Sequence, residues 1–437
     1  MKKFLNALAI LLICAGLGLG AYCAADMLFP EAESLGQLRT GEESTDMGAA
    51  DAQESQGADT IDARESLEAE SGDAQVYPAS GTQIQETRQD DGTGASEDLA
   101  HAILDRGEQA GKEEQAGRLA YGLLDAEAQT AYEEMLAVID SHAEEGELSV
   151  KDEELLPRAF EALTSDHGEI FWISGYRYVK ESLGGVTTSI RFQPSYTMGL
   201  EERETYQAQV ETRADAFLSG LEAGASDYEK VKAVYEMLSV NIRYNEEAAQ
   251  NQNILSVFLG GQSVCNGLAA SAQYLLTRLD VPCMTVYGFA GGEGHAWNLA
   301  KIDGEPYFFD ATWGNNASEV LGFCSYEYLN LTSEDLAGTH RVNMELDLPE
   351  CTAAEANYYV REGMYFESYD RETAGAAIGR RYADGEYAAA LRFSQAAAYE
   401  QALQELVTDG QISGYCPGLT SFRYMENDRL YILTLCW

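Results

Sequence analysis

Apolar residues recur at helical spacing from Leu119 to Leu163. Leu123, Tyr132, Met135, Leu136 and Ile139 come first, then Leu155, Leu156, Phe160 and Leu163, which predicts two or three helices. The period changes over residues 170–196. Ile170 to Ile173, Tyr176 to Val179 and Val186 to Phe192 read as strands, and Gly184-Gly185 predicts a β-hairpin between the last two. Asp227 through Ile242 is helical again, with Val231, Val234, Leu238 and Ile242 on one stripe. After Gly260-Gly261, residues Leu268, Ala272, Leu275, Leu276 and Leu279 share one helix face, which places Cys265 at or near the first turn. Met284 to Tyr287 predicts a short strand and Gly288 to Gly294 a Gly-rich loop. Ala296 to Ile302 and Pro306 to Asp310 predict strands on either side of Asp303-Gly304, a tight-hairpin signal. From about residue 364 a last module reads as a strand (Ala388 to Phe393), a helix (Ala396 to Val407) and a hairpin at Asn427-Asp428 ending in Leu430 to Leu435. No repeats occur.

The N-terminal region follows different rules. Lys2 and Lys3 precede a nearly unbroken apolar run from Phe4 to Ala25, so residues 1–28 read as a signal peptide or a signal anchor. Residues 31–100 hold eighteen acidic residues against three arginines, with Tyr77 the only aromatic. Such a stretch buries too little apolar surface to offset its chain entropy, so residues 29–115 are expected to be a disordered acidic linker. Order is expected over 116–345, with a separate small α+β module over 346–437.

The formal net charge is −45, with no Lys/Arg cluster. That balance excludes nucleic-acid binding, which needs a basic surface, and docking on anionic headgroups. Membrane contact is expected through the N-terminal segment only. Eight cysteines are present, two of them in the leader, and none forms a CxxC pair. Cys416 with Cys436, or Cys324 with Cys351, are conceivable disulfides in an exported protein, and buried free thiols fit equally. The scattered acidic residues form no EF-hand loop, and no metal or cofactor is expected.

Cys265 is the residue with a chemical setting. A helix N-terminus favours a thiolate, and its free N–H groups can face the oxyanion of a tetrahedral intermediate. A base and an orienting group must then lie within reach. If Asp303-Gly304 is a two-residue turn, Ile302 pairs with Glu305 and Asp310 lies opposite Trp297. His295, two residues before Trp297, then projects from the same face as Asp310, as a diagonal neighbour. Asp310 can therefore hold His295 in one tautomer.

Ser263-Val264-Cys265-Asn266-Gly267, His295-Ala296-Trp297-Asn298 and Asp310-Ala311-Thr312-Trp313 resemble the bacterial transglutaminase-like domain. The resemblance covers roughly residues 120–345 and extends to Asn251-Gln252-Asn253-Ile254 and Tyr326-Glu327-Tyr328-Leu329. Leu268 departs from it, standing where an aromatic residue is common. The resemblance implies a papain-like α+β core, with the Cys helix packed on an antiparallel sheet, and a catalytic triad of Cys265, His295 and Asp310. Trp297 and Trp313 read either as core or as candidates for walling a substrate cleft, with core the stronger reading. The Gly288–Gly294 loop is read as letting the backbone turn beside His295. His101, His142, His167 and His340 show no partner pattern and are assigned no role.

The leader and the resemblance together imply an exported thiol enzyme acting on amide bonds of proteins or peptides, and this is the expectation. Hydrolysis is favoured over cross-linking because it needs no second protein substrate. The alternative is a cell-envelope module that binds a peptide or glycan on the same scaffold without chemistry.

Overall fold

The computed structural model describes the backbone of Arg39–Glu42, Gln115 and residues 117–437. The expected leader, and all of the acidic stretch except Arg39–Glu42 and Gln115, lie outside the described residues. Among the described residues no helix is long and apolar enough to cross a membrane. The described chain falls into two units that divide between Glu362 and Gly363.

In chain order the elements begin with β1 (Arg39–Glu42), α1 (Ala126–Asp140), β2 (Gly146–Leu148), α2 (Leu155–Asp166), β3 (Ile173–Leu183) and β4 (Val186–Tyr196). They continue with α3 (Leu200–Leu218), α4 (Asp227–Asn241), β5 (Arg243–Tyr244), β6 (Gln262–Ser263), α5 (Cys265–Arg278), β7 (Cys283–Ala290), β8 (Glu293–Ile302) and β9 (Glu305–Phe309). Next come α6 (Ala311–Leu321), α7 (Ser333–Ala337), β10 (His340–Val342), α8 (Tyr358–Arg361) and β11 (Tyr365–Phe366). Last are α9 (Arg371–Ala383), β12 (Ala388–Phe393), α10 (Ala396–Ala402), β13 (Ser421–Asn427) and β14 (Ile432–Cys436).

The first unit is α+β. Its central sheet has the order β10-β7-β8-β9 and is antiparallel throughout. Helix α5 lies against this sheet and buries Leu268, Ala272, Leu275 and Leu276 completely. Asn298 on β8 ties the two together by donating to the Ala269 carbonyl at 2.9 Å. The Cys helix thus packs on an antiparallel sheet, as expected. Two hairpin turns shape the sheet. Asp303-Gly304, with φ of 54° and 92°, joins Ile302 to Glu305 in the expected register. The predicted Gly288–Gly294 loop is mostly strand. β7 and β8 extend to Ala290 and from Glu293, leaving only Gly291-Gly292 (φ 61° and 93°) as the turn. A second sheet, β2-β4-β3, is built on the hairpin predicted at Gly184-Gly185.

The second unit is a five-stranded sheet of order β1-β13-β14-β12-β11. Two expectations need correction. Arg39–Glu42, placed by composition in the disordered stretch, pairs antiparallel with Tyr424 to Ser421. An open sheet edge accepts a strand through main-chain groups alone, so acidic composition does not prevent it. Residues 346–362, read as part of the C-terminal module, belong instead to the first unit. Cys351 exchanges bonds with Ser333 (2.8 and 2.9 Å), and Asn330 and Asn357 hold Ala356 and each other.

Gly288 is where the central sheet closes. A Cβ there would stand 2.1 Å from the Arg341 carbonyl oxygen on β10 and 2.7 Å from Trp297. We predict that Gly288→Ala lowers the stability of this unit by roughly 1–3 kcal/mol through overpacking. Gly220→Ala, with nothing within 4 Å, should stay within about 0.5 kcal/mol of the parent. Urea unfolding of both variants reads the difference, and equal midpoints would refute it.

Candidate active site

The site starts at a helix end without a side-chain cap. Val264 precedes Cys265 and makes no capping hydrogen bond. The serine before it is engaged elsewhere: Ser263 Oγ lies 2.6 Å from Ser256 Oγ and donates to the Asn251 carbonyl at 3.1 Å. These bonds draw the 251–256 loop over the start of α5. Gly267 permits that approach, because a Cβ there would meet Ser263 Oγ at 2.1 Å and the Asn251 and Asn253 carbonyls at 2.9 Å. The Ser-Val-Cys-Asn-Gly motif is thus a loop-on-helix joint that leaves the first-turn N–H groups of α5 without a side-chain cap. Cys265 is buried and packs with Ala269, Ala296 and Tyr287.

The three residues selected from the sequence come together. His295 Nε2 lies 2.7 Å from Asp310 Oδ2. His295 also shares a hydrogen bond with the Cys265 side chain, for which Nδ1 is the remaining ring nitrogen. Asp310 does not sit in a strand, as expected, but one residue past β9, where it caps α6. Its Oδ1 accepts the Thr312 and Trp313 N–H groups at 2.8 and 3.0 Å. The sequence reading missed α6 and so missed this second task of the aspartate.

It also missed His340. This side chain is fully enclosed, and its Nε2 lies 3.0 Å from the same Asp310 Oδ2. Its Nδ1 is 2.7 Å from Thr339 Oγ1. Strand register could have suggested the contact only if β10 had been recognised as the neighbour of β7, a pairing between segments some fifty residues apart. Of the other histidines, His142 stacks on Tyr196 and His167 bonds Glu169, while His101 lies outside the described residues.

Trp297 is 1% exposed and stacks near His295, so it walls the site from inside rather than lining an open cleft. Trp313 is half-buried and packs against His340 and Tyr328. The ligand-type atoms of His295, Asp310 and His340 fall within 4.8 Å of one another, a set that could hold a metal. Their N···O separations of 2.7 and 3.0 Å are hydrogen-bond lengths. Two ligands on tetrahedral zinc would stand about 3.3 Å apart, so we read the group as a hydrogen-bond network.

Burial alone would push His295 down. The charge and hydrogen bond of Asp310, with the hydrogen bond to Cys265, override it and raise the ring to about 10. Burial alone would raise Asp310. The charge and hydrogen bond of His295, followed by those of His340, hold it well below the usual carboxylate range instead. The six described cysteines are free thiols. Burial raises Cys283 and Cys324 well above the ordinary value, Cys351 to about 12, and Cys416 and Cys436 to about 11.

Residues 215–311 match the family profile described as the transglutaminase-like superfamily. The Homo sapiens Kyphoscoliosis peptidase is 26% identical over 141 residues, covering 28% of this chain and 21% of that protein. The Mus musculus protein of the same name is 28% identical over 112 residues, covering 22% and 17%. The chain thus spans about a fifth of the length of these curated relatives. A crystal structure of a TGase is 14% identical and covers 38% of this chain and 50% of that one, with a TM-score of 0.24.

The ion pair makes stability depend on pH in a stated direction. His295 is raised from 6.5 to about 10, so its contribution is complete below 6.5 and drains away as pH climbs through about 10. Asp310 is depressed below 3.8, so its contribution is complete above 3.8 and is lost in acid. Breaking such a buried pair costs roughly 3–5 kcal/mol. We therefore expect Asp310→Asn to lose most stability between about pH 4 and 6.5, with a deficit that shrinks toward pH 10. Calorimetry of both proteins across pH measures the deficit, and one that does not vary with pH would rule the pairing out.

Proposed function

We propose that this chain, which belongs to the transglutaminase-like superfamily through residues 215–311, is a thiol enzyme acting on amide bonds of proteins or peptides. Cys265 is the nucleophile, His295 the base and acid, and Asp310 the group that orients and charges His295. The observation that carries the reading is the chain of contacts from Cys265 through His295 to Asp310, started at an uncapped helix N-terminus.

The steps follow from that geometry. His295 Nδ1 takes the proton of the Cys265 thiol; a ring that keeps its proton up to about 10 holds it well. The sulfur forms a bond to the amide carbon, and the carbonyl π pair moves to oxygen. First-turn N–H groups of α5 face that oxyanion. As it collapses, the C–N bond breaks and His295 returns the proton to the departing amine, leaving a thioester on Cys265. An acceptor then gives its proton to His295, adds to the thioester and expels the thiolate. Water as acceptor makes the enzyme a hydrolase; a lysine amine makes it a cross-linker. We favour water. It needs no second protein substrate, and the partial relatives bear the name peptidase. Lys2-Lys3 with the apolar run from Phe4 to Ala25 supports an exported, membrane-tethered setting at the cell envelope.

Two measurements test the reading. Iodoacetamide near pH 7.5 should label Cys265 ahead of the five thiols that burial holds protonated, and His295→Ala should slow that labelling about tenfold or more. Envelope proteins incubated with the full chain, but not with Cys265→Ala, should then show new termini by mass spectrometry. The turnover lost in Cys265→Ala should be about a thousandfold or more. New isopeptide bonds would select the cross-linking acceptor. Equal, slow labelling of all cysteines together with unchanged proteins would refute the enzyme and leave the binding module.

A further inference from the structure

His340 lies beyond the residues matched to the family, and the steps above make no use of it. We propose that His340 is a positioning residue for the thiol chemistry: its Nε2–H holds Asp310 Oδ2 in the orientation that aims the carboxylate at His295, and Thr339 Oγ1 holds the ring from its Nδ1 side. The inference rests on Cys265 acting as the nucleophile.

A carboxylate offers about four lone-pair directions. Thr312 and Trp313 fill those of Asp310 Oδ1, and His295 and His340 fill those of Oδ2. Two donors on each oxygen stop the group from turning about its Cβ–Cγ bond. Without His340 one acceptor site would be left empty in a pocket where the Asp310 side chain has no exposure, and such a vacancy is costly. Ionised Asp310 can only accept, so His340 Nε2 must carry a hydrogen. Thr339 Oγ1, 2.7 Å from Nδ1 and 3.2 Å from the Leu336 carbonyl oxygen, holds the other side of the ring.

The ring is also held mechanically. On the central sheet His340 pairs with Ala290, and Val342 with Gly288, which in turn faces His295. His340 and His295 therefore stand on the same face. Trp297 meets the His340 ring edge-on at 5.1 Å and Trp313 packs at 4.8 Å. The titratable groups facing Asp310 are His295, His340, Tyr235 and Tyr244, with Cys265 beyond His295. Of the two that donate to its Oδ2, His340 is the one that leaves His295 free to serve the sulfur.

Volume and hydrogen bonding can be separated. His340→Leu keeps the bulk and removes the donor; His340→Gln keeps a donor. The readout is the rate of Cys265 alkylation by iodoacetamide against pH in the full chain, with circular dichroism to confirm folding. In His340→Leu a loosely aimed Asp310 supports the imidazolium less well. The acid limb should rise by about one pH unit and the rate at pH 7 should fall roughly tenfold. His340→Gln should stay within about threefold of wild type, and Thr339→Val should fall between the two. A His340→Leu profile that superimposes on wild type, or equal shifts in the Leu and Gln variants, would overturn the proposal. If His340→Leu does not fold, Thr339→Val decides, since an unshifted profile there refutes it as well. Wild-type Cys265 reacting no faster than Cys283 would remove the thiol-enzyme reading itself, and this inference with it.

Discussion

A carboxylate closed off from water takes up a proton unless its charge is matched by donors. Asp310 has no exposed side-chain surface, yet it is held as an anion because two backbone N–H groups and two imidazoles converge on it. The rest of the site depends on that charge. It keeps His295 protonated well into the alkaline range, against a burial that would otherwise strip the proton. It also starts α6, since Asp310 Oδ1 caps the helix that carries Trp313. One side chain thus couples the electrostatics of the site to the placement of the wall around it.

Two glycines show how the fold makes room for this arrangement. Gly267 lets the 251–253 carbonyls close over the first turn of α5, which engages Ser263 and leaves the N–H groups near Cys265 uncapped. Gly288 lets β10 draw up against β7, which brings His340 within reach of Asp310. In both places an alanine would meet a backbone carbonyl at 2.9 Å or less, and the Arg341 carbonyl, within a paired strand, cannot simply swing away. The demand for close approach is therefore local and steric, while its benefit appears several ångströms off, in the geometry of the reacting groups.

Much of this was legible in the sequence, for physical reasons. A helical stripe starting just after Cys265 fixes where the helix begins, and a two-residue Asp-Gly turn fixes register. Register alone puts His295 and Asp310 on one side of the sheet. These inferences use short-range geometry, in which a few residues constrain one another through covalent structure. The misses are long-range or depend on context. The pairing of β10 with β7 joins distant segments, and His340 carries no local signal for it. The Gly288–Gly294 stretch reads as loop by composition, but cross-strand bonding from His295 and Gly294 holds most of it as strand. The acidic segment shows the same limit, since Arg39–Glu42 joins an edge by main-chain pairing that side-chain chemistry does not announce.

The six described thiols also bear on how one of them can be singled out. Cys283, Cys324, Cys351, Cys416 and Cys436 owe their raised values first to burial. Cys265 is buried too, at 5% exposure, so enclosure alone does not separate it from them. The difference lies in what the enclosure contains: a ring nitrogen on one side and the start of a helix on the other. Enclosure then works in opposite directions at the two kinds of position. Around the other five thiols it suppresses the anion. In the proposed chemistry, enclosure around Cys265 would strengthen the attraction between a thiolate and an imidazolium by excluding the water that screens them. The same low dielectric that keeps five cysteines silent is what would make the sixth reactive, and the imidazolium it requires is sustained by Asp310.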